Sequence, residues 1–296
     1  MKIIFLGCGY LGHNLSTYLS ADHDVEVWGL QSPYSARTPW FREVDVFDLA
    51  LMTLQDLKDA IVVDTVSLVG VNTKVDDEHA ALDKLRARYQ GLFELLKAKQ
   101  IRRYIYLSSG GTIYGDSTKP INEEHSLNPK SYYARSKEVL EWVLKNSGLE
   151  YVILRPTNPY GGYQVNDNGQ GVIPILINKA FKGEVFEMWV DGNSSRDYIY
   201  IDDFGKALKL IIDKNVRNTT LNIASNEGTT LNRVIELIEQ GTGRPIQIQR
   251  VENPVATVKS IVLDITRLKL MTGYEPEVSF EEGMRREINR IREELF

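Results

Sequence analysis

Cysteine is almost absent: the single Cys8 cannot close an internal disulfide, so the chain is not a disulfide-stapled scaffold. Long apolar runs are missing too. The opening stretch Lys2 to Leu6 is cut short by glycine, too soon for a signal peptide, and Ala60 to Val63 ends far below the roughly 20 residues a membrane span needs. The expected address is the cytoplasm, with no membrane partner. Only four histidines occur, His13, His23, His79 and His125, and none has metal-ligand spacing, so no metal site is expected. Excess basic charge is lacking: 35 Lys and Arg stand against 40 Asp and Glu, a net charge of -5 that argues against a nucleic-acid surface. There are no internal repeats and no low-complexity tract. An apolar content of 43% and a charged content of 25% are ordinary for a soluble globular protein, which leaves a small molecule as the expected partner. At 296 residues the chain predicts one large or two unequal domains.

What is present is a repeated alternation. Lys2 to Leu6 reads as a buried parallel strand, followed by Leu11, Leu15 and Leu19 at helical spacing. Val25 to Leu30 and Ile61 to Val69 read as further strands, Leu92 to Leu96 as part of an amphipathic helix, and Tyr104 to Leu107 as a strand ending in serines. A helix over Tyr133 to Leu144 leads through Ser147 and Gly148 to a strand at Tyr151 to Leu154. This rhythm predicts an α/β fold with a doubly wound parallel sheet. After Pro156 it stops: Gly161, Gly162 and the polar stretch Asn166 to Gly171 introduce a region without regular βα units. We expect a first domain over 1–160 and a smaller mixed α/β lobe over 161–296, with chain near 195–212 returning to the first. Ser279 to Phe296 predicts a terminal helix, with Ser279 as N-cap and Glu282 completing a capping box.

Gly7-Cys8-Gly9-Tyr10-Leu11-Gly12 sits between the first strand and the first helix. Gly7 permits the turn, Gly9 lets backbone approach a pyrophosphate, and Gly12 lets helix and strand pack closely, the pattern of a dinucleotide site. A compact turn is the alternative reading. No carboxylate stands at the end of the second strand for a ribose 2'-hydroxyl, and Arg37 is close enough in sequence to accept a 2'-phosphate. NAD is the expected cofactor, with NADP as the alternative. Asp45 and Asp48 are candidates for the adenine amino group or ordinary loop aspartates; Cys8 is expected to fill space.

Tyr133 and Lys137, four residues apart, share one helix face. A phenol with a pKa of about 10 is a poor base, and an adjacent ammonium with a cationic nicotinamide is expected to bring it down to about 7. The pair lies downstream of Ser108-Ser109-Gly110-Gly111-Thr112-Ile113-Tyr114-Gly115, which predicts hydroxyls at the carboxyl edge of the sheet.

These motifs, with Asn128 to Tyr133, Ser136, Lys137, Glu141, Arg155 to Gly161, Asp191-Gly192 and Arg196 to Asp203, resemble the extended short-chain dehydrogenase/reductase superfamily, in particular its nucleotide-sugar epimerases and dehydratases. Later echoes at Leu221 to Ser225, Leu263-Asp264 and Gly273 to Pro276 extend the likeness over nearly the whole chain. The resemblance implies a Rossmann-type fold, a homodimer formed through helices of the first lobe, and a nucleotide-sugar substrate. It makes Tyr133 the acid/base and gives Lys137 the nicotinamide ribose; Ser109 or Thr112 orients the reacting hydroxyl. Cofactor contacts fall on Gly7, Gly9, Tyr10, Leu11, Gly12, Asp45, Ser67, Tyr133, Lys137 and Pro156. Asn158 and Arg196 are implied beside the sugar diphosphate, with Gln164, Asn193 and Tyr198 in the nucleotide pocket.

The chain also departs from the family pattern. Gly110 occupies the position four before Tyr114 that usually carries a catalytic serine or threonine, and glycines replace the acidic pair of 4,6-dehydratases, which argues against dehydration. Val251 to Ala256 lacks a second diphosphate-binding arginine, and Asp64-Thr65-Val66-Ser67 is an unusual end to its strand. The resemblance therefore implies C4 epimerisation of a UDP-glucose/UDP-galactose type, with an NADPH-dependent keto-sugar-nucleotide reductase as alternative. A non-catalytic dinucleotide sensor is the remaining class, and retention of Tyr133 and Lys137 argues against it.

Overall fold

The computed structural model describes residues 1–115, 117, 119–165, 171–188, 192–251 and 260–296. Residues 166–170, Asp191 and 252–256, named above, lie outside the described residues. The first half runs β1 (Lys2–Leu6), α1 (Tyr10–Leu19), β2 (Asp24–Gly29), β3 (Phe41–Glu43), α2 (Leu49–Thr53), β4 (Ile61–Asp64), α3 (Glu78–Ala98), β5 (Arg103–Leu107), α4 (Gly110–Ile113), α5 (Tyr132–Lys145) and β6 (Tyr151–Pro156). The continuous apolar runs of β1, β4, β5 and β6 are buried on both faces, as parallel strands under helices on either side must be.

The second half runs β7 (Asn158–Tyr160), α6 (Val172–Lys182), β8 (Val185–Met188), β9 (Ser195–Tyr200), α7 (Ile201–Asp213), β10 (Thr219–Ile223), β11 (Gly228–Thr230), α8 (Leu231–Thr242), β12 (Gln247–Arg250), β13 (Ser260–Ile261), α9 (Thr266–Thr272) and α10 (Phe280–Leu295). A seven-stranded sheet orders these β10-β6-β5-β4-β1-β2-β3, every pairing parallel. Its order reverses between β1 and β4, the crevice where open α/β sheets bind ligands. α7 packs on α1, and β10 completes one sheet edge. In a second, smaller sheet β9 pairs with β7, β11 and β13, while β8 pairs with β12.

Three details depart from the sequence reading. β4 ends at Asp64, short of Val69, because Thr65 Oγ1 turns onto the carbonyls of Leu6 and Gly7, at 2.9 and 2.8 Å, and draws the chain out of the sheet. The short β3 lacks the alternation that betrays a strand. At α10 the Ser279 hydroxyl accepts the Glu282 amide at 3.2 Å, but the Glu282 carboxylate turns forward to Arg285 and Arg286 rather than back to the cap.

Among the described residues no helix is long and apolar enough to cross a membrane, and no group of three or more His, Cys, Asp or Glu is arranged to hold a metal.

Candidate active site

The glycine turn is built as its spacing requires. Gly7 holds φ at +97°, and a Cβ on Gly12 would stand 2.0 Å from the Gly7 carbonyl oxygen, so neither position accepts another residue without rearrangement. Gly9 caps α1 with no side-chain bond to the first-turn amides, and space beside its Cα is open. Uncapped amides at the positive end of a ten-residue helix, in the sheet's crevice, suit the pyrophosphate of a dinucleotide. Thr65 clasps the turn from β4, and Cys8 lies buried with Sγ 3.5 Å from the Thr38 hydroxyl, filling space as expected.

Beside the turn opens a cleft of about 560 Å³. It brings together Tyr10 and Leu11 from α1, Ser109, Thr112 and Tyr133 from around β5 and α5, and Asn158, Gln164, Arg196 and Tyr198 from the second half. Tyr10 and Asn14 tie the halves together. The Tyr10 hydroxyl donates to the Gly161 carbonyl at 2.9 Å, and Asn14 exchanges two bonds with the Tyr163 backbone, at 2.8 and 2.9 Å.

Helix α5 starts where the Ser131 hydroxyl accepts the Ala134 amide at 3.1 Å, and this cap sets Tyr133 and Lys137 on one face. The Tyr133 phenol lies beside the Ser109 hydroxyl, whose Oγ accepts from the Thr112 hydroxyl at 2.8 Å. The sequence left open which hydroxyl replaces the one missing at Gly110. The geometry answers that a side chain there would not reach the cleft: a Cβ on Gly110 would meet Leu263 Cδ1 at 2.4 Å and the Arg155 carbonyl at 2.7 Å.

Lys137 is buried, donates to the Leu107 carbonyl at 3.0 Å, and lies 5.1 and 5.6 Å from the ring centres of Tyr106 and Tyr133. Burial lowers its ammonium to about 8, against the opposing pull of Asp64 and Glu141. The expected depression of Tyr133 is not produced by the protein alone. Burial raises the phenol above its ordinary value, and the Ser109 hydroxyl opposes that only in part, because a phenolate loses more hydration in the cleft than one neutral donor returns.

From the second half of the chain, the period-2 alternation of β9 sends Arg196 and Tyr198 into the cleft and Asp197 inward. The Asp197 carboxylate accepts from the amides of Ser225 and Asn226, at 2.9 and 3.1 Å, and from the Ser225 hydroxyl at 2.8 Å; burial pushes it up to about 6. The Asn158 side chain donates to the Asp197 carbonyl at 2.8 Å, locking β7 to β9.

Other candidates stand outside the cleft. Asp45 accepts the Phe47 amide at 3.0 Å in a turn after β3, and Asp48 caps α2. Ser67 donates to the Val69 carbonyl at 2.8 Å and lines a small hollow with Lys137; Pro156 ends β6. Asn193 accepts from Asn232 at 3.2 Å. Arg37 lies over the Tyr163 ring at 4.3 Å. The sequence reading missed Asn72, Ser194 and Leu231 in the cleft wall. Only Ser194 carried a signal, its place two residues before Arg196.

The comparisons with known proteins agree with this geometry. The NAD dependent epimerase/dehydratase family model matches residues 4–224. The chain is 28% identical over 301 residues to a putative UDP-glucose 4-epimerase of Methanocaldococcus jannaschii, covering 98% of this chain and 97% of the relative. To the dTDP-4-dehydro-6-deoxyglucose reductase of Escherichia coli it is 34% identical over 205 residues, 68% of this chain and 65% of the relative. Among solved structures, the UDP-glucose 4-epimerase of Thermotoga maritima with UDP-glucose aligns at a TM-score of 0.87 and 27% identity, covering all of both chains. With its motifs, sheet order and cleft in agreement over most of its length, this chain belongs to the NAD dependent epimerase/dehydratase family.

Proposed function

We propose that this protein is an NAD-dependent nucleotide-sugar epimerase acting at C4, most simply on UDP-glucose and UDP-galactose. The observation that carries the reading is the row of hydroxyls from Tyr133 through Ser109 to Thr112, opening into the same cleft as Arg196 and Asn158. Gly7, Gly9, Tyr10, Leu11 and Gly12 are assigned the dinucleotide, with Ser67, Pro156 and Lys137 on its nicotinamide side and Asp45 on its adenine side. When bound there, NAD would supply reversible hydride acceptance for oxidation and re-reduction at C4, with no net consumption of cofactor.

Tyr133 takes the C4 hydroxyl proton and later returns it. Ser109 and Thr112 align that hydroxyl, and Ser109 stabilises the phenolate by donating to it. Arg196 neutralises the diphosphate in a geometry suited to paired oxygens, and Asn158 lies beside it. The sugar turns between the two proton transfers while its nucleotide stays fixed, which requires a cleft wider than one sugar pose. In place of the acidic pair that expels water in dehydratases stand Gly110 and Gly111, so the chain lacks an acid there for dehydration. Cytoplasmic action as a homodimer through helices of the first half belongs to the same reading, and Trp142, 57% exposed on α5, is a residue such a contact would cover.

The Escherichia coli reductase relative favours one alternative, an NADPH-dependent reductase of a keto-sugar nucleotide. The test is to incubate the purified protein, with no added cofactor, with UDP- and GDP-sugars and to follow anomeric proton signals. Inversion without added cofactor is the expected result; turnover that requires NADPH selects the reductase instead.

A further inference from the structure

Two carboxylates act on the buried Lys137 ammonium, Glu141 and Asp64. Glu141, one turn along α5, already has a cation. Arg155 from β6 grips its two oxygens at 2.9 and 2.6 Å, Ser108 donates to it at 2.6 Å, and Lys145 stands 3.7 Å away. Asp64 is fully buried at the end of β4 and has neutral partners: the Tyr104 hydroxyl at 2.7 Å, the Val66 amide at 2.9 Å, and Tyr89 from α3. Burial raises the Asp64 carboxyl, and Lys137 acts on it as a cation in the opposite direction.

The sheet register explains the placement. Asp64 pairs in register with Tyr106, over whose ring the Lys137 nitrogen lies at 5.1 Å, so strand pairing sets Asp64 beside the residue that Lys137 covers. Burial holds the phenols of Tyr89, Tyr104 and Tyr106 well above their ordinary values, and Tyr133 above its own, so these neighbours stay neutral. An ammonium in such surroundings sheds its proton unless an opposite charge is close.

We propose that Asp64 is a positioning residue for the reaction, its carboxylate being the buried counter-charge that keeps Lys137 protonated beside Tyr133. This rests on the role given to Lys137 above. It also accounts for a carboxylate at the end of a central strand, where burial without a charged partner is costly.

The test compares the parent holoenzyme with Asp64→Asn, which keeps shape and removes charge. Lys137 is titrated by side-chain NMR, with Lys137→Arg providing the assignment, and kcat and KM are measured against pH. In Asp64→Asn the Lys137 midpoint should fall by roughly one pH unit, with the alkaline limb of kcat following it and KM unchanged, while Asp64→Glu keeps the parent midpoint. An unmoved Lys137 midpoint in Asp64→Asn overturns the proposal. Should that variant not fold, the side-chain carbon signal of Asp64 in the parent decides. A carboxylate throughout pH 7 to 9 supports the assignment, and a protonated acid there overturns it. A shifted midpoint in a protein that turns over no nucleotide sugar leaves the Asp64 assignment standing and removes the epimerase reading.

Discussion

Ser109 stands beside the Tyr133 phenol in the cleft, while the next residue, Gly110, packs into the core against Leu263 and the Arg155 carbonyl. The hydroxyl partner of the tyrosine is therefore set by which of two adjacent residues faces the sugar. Ser109→Ala should lower kcat roughly 10- to 100-fold and move the acid limb of the kcat profile to higher pH, since the hydroxyl it removes opposes the upward push of burial. Gly110→Ser should gain no activity and lose about 1–3 kcal/mol of stability from overpacking, read by thermal unfolding.

Lys137 gives a signature in stability. Burial lowers it to about 8, so between that pH and the ordinary lysine value the unfolded chain holds a proton that the folded chain has released. Stability contributed by this group rises with pH across that window and is lowest below it, where the folded protein carries a buried charge. Lys137→Met combined with Asp64→Asn should abolish turnover yet stabilise the cofactor-free protein at pH 7 by on the order of a few kcal/mol, because both buried charges are removed together. The gain should shrink as pH approaches 10, as denaturant unfolding at several pH values would show.

Arg196 enters the cleft from β9 beside Asn158. Arg196→Ala should raise KM for the nucleotide sugar about 10- to 100-fold through lost contacts to the diphosphate, with a smaller change in kcat. Dinucleotide affinity, measured separately by calorimetry, should not change.

Glu141 and Arg155 form a buried pair that also holds Ser108 and the Tyr114 hydroxyl, the latter 2.7 Å from the guanidinium. Removing one partner strands the other's charge. Glu141→Gln should cost about 3–5 kcal/mol in urea unfolding, more than substitution of any exposed pair such as Arg233 and Glu236.

The first half was legible because its signals are local. Glycines at fixed offsets after an apolar strand, and Tyr133 and Lys137 one helical turn apart, state their geometry in the sequence. Long-range effects were not legible. Nothing local shows that Thr65 will turn onto Gly7 and end β4, or that Gly110 will meet Leu263 from the far end of the chain. The pairing of β7 with β9 joins segments nearly forty residues apart and carries no periodic signature. The upward push of burial on Tyr133 was not legible for a related reason: neighbouring charges are visible in the sequence, whereas burial is a property of the folded cleft.

The central claim, that the Tyr133 oxygen exchanges the proton of the sugar's C4 hydroxyl, is tested most directly by Tyr133→Phe. With UDP-glucose and no added cofactor, followed by anomeric proton NMR, the parent should equilibrate the C4 epimers. The variant should leave the substrate unchanged while still binding NAD as tightly as the parent. Epimerisation by Tyr133→Phe at the parent rate would contradict the account.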